Sequence, residues 1–489
     1  MFCFAAVCTV QANNIQITGI SYSAPNLSFT IQWDNSWNTS SNANPLYPSN
    51  WDAAWVFVKY QSSIDNLWKH TLLSSVSSDH NVTGGILQVD AVSDGMGVFI
   101  RRSAPGSGNI SASVVTIKLN TLAGTGPFNF KVFGTEMTYI PQSVFRLGDG
   151  RVSGTSFFTA QDIDATKQSS GITAGSLFSG SPALPATFPM GYNSFYMMKY
   201  EITNEEWADF LNALTYDQQV SRMDIAPNGT VNSYIYANNV NTMTDNVVKL
   251  QTAGLNNTLP AVFGCDLDGD NVFNEINDGQ NIACGNLSKA DLFAYLDWCG
   301  MRPMTETEFE KSCRGTQAAV VGEYAWGTTD VSTHVRTQLS NNGMPNEAWT
   351  GAQASGQVMV GAGLNSSGGP ARSGLFANGT NGRLAAGAGF YGNMELSGSI
   401  WEICVLVDAG GVSFTGNNGD GMLTVTGDAN TANWPGNYTA AAGSGTTIRG
   451  GSFFEISNYT SYISASFRNG GLDPARNILF GGRGVRSVP

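Results

Sequence analysis

The residues with the clearest potential for chemistry form an acidic loop that begins just after Cys265. Oxygen-bearing side chains recur at alternate positions around Gly269. Calcium is a hard cation that takes many oxygen ligands, and a glycine permits the tight turn that a wrapping loop needs. We therefore predict a structural calcium site with the ligands Asp266, Asp268, Asp270, Val272, Asn274, Glu275 and Asp278.

The spacing in this loop is typical of the DxDGDxxxxE/D loops of calcium-binding repeats. It departs from an EF-hand, which has its glycine one position later and a glutamate at the end of the loop. A solvated acidic loop without a metal is the alternative. Crowding of the carboxylates favours the metal, because neighbouring negative charges would otherwise repel one another.

Two cysteines flank the acidic loop, and we predict that they form a disulfide. A Cys265–Cys284 bond would close a segment that has few apolar anchors of its own. A Cys313–Cys404 pair is a further alternative that would leave Cys299 as a thiol. The sequence has no CxxC motif or Cys/His cluster of the kind that binds zinc.

Three helices are predicted around this loop from their start signals. The first follows Thr203, the second follows Ser288, and the third follows Thr305 with Glu308 in the capping-box position. The first also carries a one-sided apolar face. The members of that face are Trp207, Phe210, Leu211 and Leu214.

Residues 13–135 are predicted to form an immunoglobulin-like β-sandwich. Apolar and polar residues alternate at 15–17, 27–33 and 114–119, whereas 55–60 is a more continuous apolar run. Gly, Pro, Asn and Ser clusters separate these segments, and no helical periodicity intervenes. The many tryptophans here are predicted to pack within the sheets, with a carbohydrate-stacking surface as the alternative.

Composition limits the class of partner. The 489 residues carry 24 Lys+Arg against 37 Asp+Glu, for a net charge of -13. Charged residues make up 12% of the chain, about half of the roughly 25% in ordinary soluble proteins. So few basic groups argue against a nucleic-acid partner, and no apolar stretch approaches the roughly 20 residues of a transmembrane helix.

The first twelve residues are apolar and end in the small-residue pattern Val10-Gln11-Ala12. This pattern resembles the core and cleavage site of a signal peptide that lacks its basic part. We predict that residues 1–12 are a signal peptide remnant and that the protein is secreted or attached to the cell surface. A buried N-terminal strand is the alternative.

Ordered motifs across residues 136–489 resemble the formylglycine-generating enzyme, or sulfatase-modifying factor, superfamily. That resemblance implies a variant of the C-type lectin fold, with few helices, much loop and the acidic loop as an insertion at about 262–286. The predicted class is therefore α+β, with an antiparallel β-sandwich followed by this module, as in secreted Bacteroidetes-like proteins. The motifs include Met137-x-Tyr139-Ile140-Pro141, Thr203-Asn204-x-x-Trp207, Trp298-Cys299-Gly300-x-Arg302-Pro303, Trp401-Glu402, Arg449-Gly450-Gly451-Ser452-Phe453 and Gly484-Val485-Arg486.

The resemblance also indicates where oxidases of this superfamily hold copper. They carry two cysteines in a Gly-Gly-Ser-x-x-Cys-x-x-x-x-Cys segment, and aligning from Gly450 places Glu455 and Thr460 at those positions. A carboxylate and a hydroxyl do not replace soft thiolates for Cu(I). We therefore expect no copper and no oxidation of cysteine to formylglycine. A histidine-bound iron is not supported either, because the chain has only three histidines.

The segment 453–467 is rich in aromatic, hydroxyl and amide side chains. Tyr, Ser and Asn together are typical of adaptable recognition surfaces. In lectin-type folds this segment resembles the ligand-binding face, while an ordinary hydrophobic strand with a polar turn is the alternative. The predicted face consists of Phe453, Phe454, Glu455, Asn458, Tyr459 and Tyr462.

These features together predict a bacterial, non-catalytic binding or structural protein. Its expected partners are a surface glycan, a protein ligand or further copies of itself in a surface polymer or filament. One alternative is an oxidase or another enzyme that uses the same cleft. A second alternative is a variable lectin-like ligand-binding protein. Purified protein that holds copper or iron would favour an enzyme, and calcium alone would favour a binding protein.

Overall fold

The computed structural model describes most of the chain between residues 14 and 488. Residues 1–12, the predicted signal peptide remnant, lie outside the described residues, as do Asn458, Tyr459 and Thr460. The other positions outside them are 13, 45, 125, 153, 237–245, 256–257, 362–367, 379–380, 436–444, 456–457, 470–474 and 489.

The described residues from 14 to 140 form two facing antiparallel sheets. Alternate residues of the second and third strands point into one core between the sheets, with Phe29 and Ile31 on one side and Val56 and Val58 on the other. This confirms the predicted antiparallel sandwich. The strands are β1 (Gln16–Ser23), β2 (Asn26–Asn38), β3 (Asp52–Ser62), β4 (Trp68–His70), β5 (Asn81–Val82), β6 (Leu87–Ala91), β7 (Val98–Arg102), β8 (Gly106–Lys118) and β9 (Phe128–Ile140).

The remaining chain combines short strands, short helices and long loops, as the α+β class predicts. Its described strands are β10 (Phe145–Leu147), β11 (Gln161–Ile163), β12 (Phe195–Met198), β13 (Val248–Thr252), β14 (Val262–Cys265), β15 (Arg302–Pro303), β16 (Ser332–His334), β17 (Leu339–Ser340), β18 (Ala348–Trp349), β19 (Gln357–Met359), β20 (Trp401–Val405), β21 (Thr446–Arg449), β22 (Phe480–Gly481) and β23 (Gly484–Ser487). Its described helices are α1 (Ala165–Ser170), α2 (Asn204–Leu211), α3 (Tyr216–Val220), α4 (Lys289–Trp298), α5 (Glu306–Arg314) and α6 (Arg383–Ala386).

One sheet runs through both parts of the molecule. Its strand order among the described residues is β15-β23-β12-β9-β3-β7-β6, with β4 beside β3. Strand β9 pairs with β3 along its whole length and with β12 near its end, where Ile140 lies opposite Phe195. The predicted domain boundary at residues 135/136 therefore falls inside β9, and the second sheet of the sandwich continues into the module.

The three predicted helices are confirmed, and each starts with a complete capping box. Helix α2 is capped by Thr203, α4 by Ser288 and α5 by Thr305, and in each the third helical residue reaches back to the cap backbone. Helices α4 and α5 are buried on nearly all sides. Within the described residues, no helix has both the length and the apolar character that crossing a lipid bilayer requires.

Candidate functional site

The acidic loop leaves the end of β14 and turns back on itself within a few residues. Gly269 has a φ of +79°, and Asn271 and Asn274 also adopt left-handed backbone conformations. The Asp266 Oδ1 atom accepts a hydrogen bond from the Gly269 amide at 2.8 Å, and Asp268 Oδ1 accepts one from the Asp270 amide at 3.1 Å. Short aspartate turns of this kind set the shape of the loop.

Three carboxylates converge in this loop. Asp266, Asp268 and Asp278 each place one oxygen within 4.8 Å of the others. Asp266 and Asp278 are fully buried, and the Oδ1 atom of Asp278 has no hydrogen-bond partner. Burial, together with the charges of Asp268 and Asp266, raises the pKa of Asp278 to about 6. A cation at this point would relieve both the unpartnered oxygen and the repulsion.

The other predicted ligands are not drawn into this cluster. The Asp270 Oδ1 atom accepts from the Val272 amide at 2.7 Å, and Asn274 Oδ1 accepts from the Cys265 amide at 2.9 Å. The side chain of Glu275 is exposed. Local hydrogen bonds to the backbone compete with ligation for Asp270 and Asn274, and the structure gathers three of the five predicted carboxylate ligands.

A lysine that the sequence did not indicate also reaches this loop. Lys249 Nζ lies 2.8 Å from Asp266 Oδ2, and both side chains are almost completely buried. Strand β13 brings the lysine there by pairing with β14, where Lys249 lies opposite Gly264. The ammonium already neutralises part of the charge of Asp266, so a metal ion would have to share that carboxylate with it.

The predicted disulfide beside the loop is not formed in the structure. Cys265 and Cys284 are both buried thiols, and Cys313 and Cys404 are not linked either. The thiols of Cys265 and Cys284 have different surroundings in the core. Cys284 Sγ accepts a hydrogen bond from the Asn246 side chain at 3.2 Å, and burial raises the pKa of Cys265 well above its usual range. The loop is instead held by backbone hydrogen bonds and the Lys249–Asp266 ion pair.

Glu455 is one of the two positions that the sequence predicts to replace copper-binding cysteines, and it lies within the described residues. Glu455 is buried, and its Oε1 atom accepts a hydrogen bond from Trp401 Nε1 at 3.1 Å. Burial raises the pKa of Glu455 to about 7. The second position, Thr460, lies outside the described residues. The Glu455 carboxylate is therefore engaged in a buried contact with the Trp401 indole.

The predicted ligand-binding face is only partly accessible. Phe453 is 1% exposed and packs in a core cluster with Ala283 and Ile400. Phe453 is therefore not accessible to a ligand, because its ring packs in the core beneath the segment 453–467. Phe454 and Tyr462 are partly exposed. Of the described residues in this face, these two remain available for contact.

A buried arginine lies behind the face, against the retained Glu402 of the Trp-Glu motif. Arg483 donates to both oxygens of Glu402, at 2.6 and 2.8 Å, and both residues are fully buried. Ser399 donates to Glu201 at 2.8 Å. Burial and the nearby Glu402 charge raise the pKa of Glu201 well above its usual range, against the opposing effect of Arg483. The guanidinium thus neutralises Glu402, whereas Glu201 is held by the Ser399 hydroxyl and the Ile400 amide.

A second buried ionic network surrounds α5, and sequence reasoning missed it. Every residue of α5 is buried, including Glu306 and Glu310. Glu306 pairs with Arg449 and Arg468, while Glu310 pairs with Arg449 and with Arg314 one helical turn away. The spacing of Glu310 and Arg314 was the only local signal. The other partners come from distant parts of the chain.

Comparison with known proteins agrees with this architecture. Residues 159–488 match the family described as the sulfatase-modifying factor enzyme 1-like domain. No curated protein matches the chain. Among solved structures, Treponema denticola variable protein 1 is similar at 13% sequence identity, over 73% of this chain and 96% of that chain, with a TM-score of 0.31. Because the family match covers more than half of the chain and follows the motifs noted in the sequence, this chain belongs to the sulfatase-modifying factor enzyme 1-like family.

Proposed function

We propose that this protein is a non-catalytic binding or structural protein of the cell surface or the extracellular medium. The proposal rests on Glu455, which alignment of the sequence from Gly450 puts where the oxidases of the superfamily have their first copper-binding cysteine. Its carboxylate is buried and bound to Trp401 Nε1 at 3.1 Å. A hard, hydrogen-bonded oxygen ligand does not hold Cu(I). In this proposal the chain has the fold of the family but does not catalyse the oxidation of cysteine that the oxidases of the superfamily perform.

The accessible aromatic residues next to Glu455 support a role in binding. The Trp401 ring lies 6.3 Å from the rings of both Tyr462 and Phe467, which lie 4.7 Å from each other. Such a cluster gives a partly exposed aromatic surface on a rigid base, which is how recognition surfaces gain contact area at low entropic cost. Its partner is a surface glycan, a protein ligand or another copy of the chain.

The proposal predicts no aldehyde formation. Incubating the protein with a Cys-x-Pro-x-Arg peptide, copper and oxygen should give no aldehyde above the level seen with peptide and copper alone, as measured by mass spectrometry. The physical reason is that no thiolate stands at Glu455 or Thr460. An active oxidase of the superfamily is the positive control. Aldehyde that appears with the wild type and disappears in Glu455→Ala would overturn the non-catalytic proposal in favour of an enzyme.

We also propose a structural calcium ion in the acidic loop, held by Asp266, Asp268 and Asp278. The unpartnered, buried Asp278 Oδ1 atom supports it, because a buried carboxylate oxygen without a partner is costly. Waters and backbone carbonyls would complete the coordination shell, as is usual for calcium. Lys249 would remain on the other oxygen of Asp266.

Removing calcium should therefore destabilise the protein. At free calcium about 100 times its Kd, bound ion adds about 2.7 kcal/mol to the free energy of unfolding. We expect EDTA to lower the melting temperature and calcium to restore it, as followed by circular dichroism. Asp268→Asn should abolish the response, whereas the exposed Glu275→Gln, outside the carboxylate cluster, should keep it. Identical wild-type melting curves with EDTA and with calcium would rule out the site.

A further inference from the structure

A cavity of about 540 Å³ lies between the sandwich and the module. Strands β1 and β9 form one wall, and helices α2 and α4 form the other. The cavity shares no lining residue with the segment 453–467, so a ligand bound in it would be independent of the aromatic surface beside Glu455. This volume holds a small organic molecule or one long side chain of a partner.

The chemical character of this cavity is strongly acidic. Five carboxylates line it, and no lysine or arginine is found among the described residues of its lining. Close carboxylates without counter-ions repel one another, and burial strengthens that repulsion. The acidic residues in the lining are Glu136, Glu201, Glu205, Glu206 and Asp209.

Two of these carboxylates are fully used within the protein. Glu206 completes the capping box of α2 and accepts from Thr135 Oγ1 at 2.7 Å. Glu201 accepts from Ser399 Oγ and from the Ile400 amide. These two residues therefore hold the wall together.

A third carboxylate, Glu136, is only half satisfied. Its Oε2 atom accepts from Lys199 Nζ at 2.8 Å, but its Oε1 atom is buried and has no hydrogen-bond partner. The residue is 6% exposed. A buried carboxylate oxygen without a donor is an unsatisfied acceptor, and a ligand can supply the missing hydrogen bond.

The remaining two, Glu205 and Asp209, lie one turn apart on α2. Within the described part of the chain, neither forms an ion pair or a side-chain hydrogen bond, although the charge of Lys131 opposes the rise in the pKa of Asp209 that burial causes. Glu205 is exposed and Asp209 partly exposed, yet desolvation by the surrounding cavity walls, then the charges of Asp209 and Glu206, raises the pKa of Glu205 to about 7. An incoming ammonium group would relieve the repulsion between the two carboxylates and offset one of their negative charges.

The rest of the lining suits the apolar part of an organic cation better than a metal ion. Phe57, Tyr295 and Trp298 line the cavity beside the carboxylates, and aromatic rings attract ammonium groups. A metal ion needs several ligand atoms in one coordination sphere. Among the described residues, the acidic groups close enough for that are in the 266–278 loop and not in this cavity.

We propose that this cavity binds an organic cation that carries a primary ammonium group on an aliphatic chain. Glu205 and Asp209 hold the ammonium, the unpartnered oxygen of Glu136 accepts a hydrogen bond, and the aromatic residues cover the aliphatic chain. A free diamine or polyamine and a lysine side chain of a peptide share this chemistry.

Titration calorimetry on the full chain tests the proposal. We expect 1,5-diaminopentane, spermidine or a lysine-containing peptide to bind saturably, and 1,5-pentanediol, of the same length but uncharged, not to bind. Binding of the free amines identifies a small-molecule ligand, whereas binding of the peptide alone identifies a lysine of a partner. Absence of binding by all three amines, or equal binding by the diol, would overturn the proposal.

Two variants locate the site. Glu205→Gln combined with Asp209→Asn should weaken amine binding by roughly tenfold or more, since each charged hydrogen bond is lost. The exposed Asp217→Asn on α3, outside the cavity, is the matched control and should bind as the wild type does. The double variant should melt at the same temperature or higher, because it removes like-charge repulsion; a purely structural role would lower the melting temperature. Full binding by the double variant would contradict the assignment.

Discussion

Replacing Glu306 by alanine should lower the free energy of unfolding by about 3–5 kcal/mol, the usual cost of breaking a buried ion pair from one side. Its two oxygens accept from Arg468 Nε and Nη2, each at 2.6 Å, from Arg449 Nη1 at 3.3 Å and from the Val407 amide at 2.7 Å. Arg449 would keep Glu310, but Arg468 would keep no carboxylate among its described contacts. A buried guanidinium would then be left without its counter-charge.

Urea denaturation measures this change in the free energy of unfolding, and we expect the m-value to stay unchanged. The matched control is Asp162→Ala, which breaks the exposed ion pair with Arg146 and should cost about 0–1 kcal/mol. Glu306→Gln should fall between the two, because it can still accept from the Val407 amide but lacks the charge. If Glu306→Ala cost no more than Asp162→Ala, the network around α5 would contribute little to stability.

Local signals in the sequence were sufficient to predict the helices. Side chains at Thr203, Ser288 and Thr305 satisfy helix amides within three residues, so each start could be read without knowing the fold. The same holds for the alternation in β2, where one face packs against the opposing sheet. Helix starts and buried strand faces were therefore predictable, because they depend on residues that are close together in the sequence.

The buried charges were not predictable, because their partners are far apart in the chain. Glu306 and Arg468 are separated by 162 positions, and Glu402 and Arg483 by 81. A run such as Glu306 to Glu310 is ordinarily typical of a solvated helix face. Only the packing of α5 among β10, β20 and β21 turns it into an ionic core.

The candidate calcium loop also combines features that nearby residues determine with contacts from distant parts of the chain. The aspartate turns that shape it follow from residue types two or three positions apart, and three of the predicted ligands do come together. Lys249 enters from another strand, and Asn274 is used by the Cys265 amide. Neither contact has a signal in the loop itself, so the sequence could not indicate which of the predicted ligands are engaged elsewhere.

The relation between the sandwich and the module was also beyond sequence reasoning. Alternation identifies a strand and its buried face, but it does not identify the neighbours of that strand. Strand β9 shows an ordinary pattern, yet it joins β3 on one side and β12 on the other. A boundary placed where the composition changes therefore divides a strand that belongs to both parts.

This shared sheet leads to the second large effect that we expect. A chain that begins at residue 136 should fail to fold, although it contains every motif of the family. It would lose β3, the partner of β9, and with it Trp55 and Phe57, which belong to the same buried cluster as Trp298 and Leu292. Large buried aromatic side chains contribute about 3–5 kcal/mol each when truncated to alanine, so the loss of these two alone is comparable to the about 5–15 kcal/mol that stabilises a typical domain.

Polar contacts add to that loss. Trp55 Nε1 donates to the Cys299 carbonyl at 2.9 Å, Lys59 Nζ donates to the Trp298 carbonyl at 2.6 Å, and Arg486 pairs with Asp94. Calorimetry of the full chain should accordingly show one cooperative transition in which both parts unfold together. The chain from residue 136 should show none, whereas a chain that begins at Asn14 keeps the whole sheet and should melt as the full chain does. A sharp transition for the shortened chain, within a few degrees of the full one, would mean that the module folds alone and that the sandwich merely docks on it.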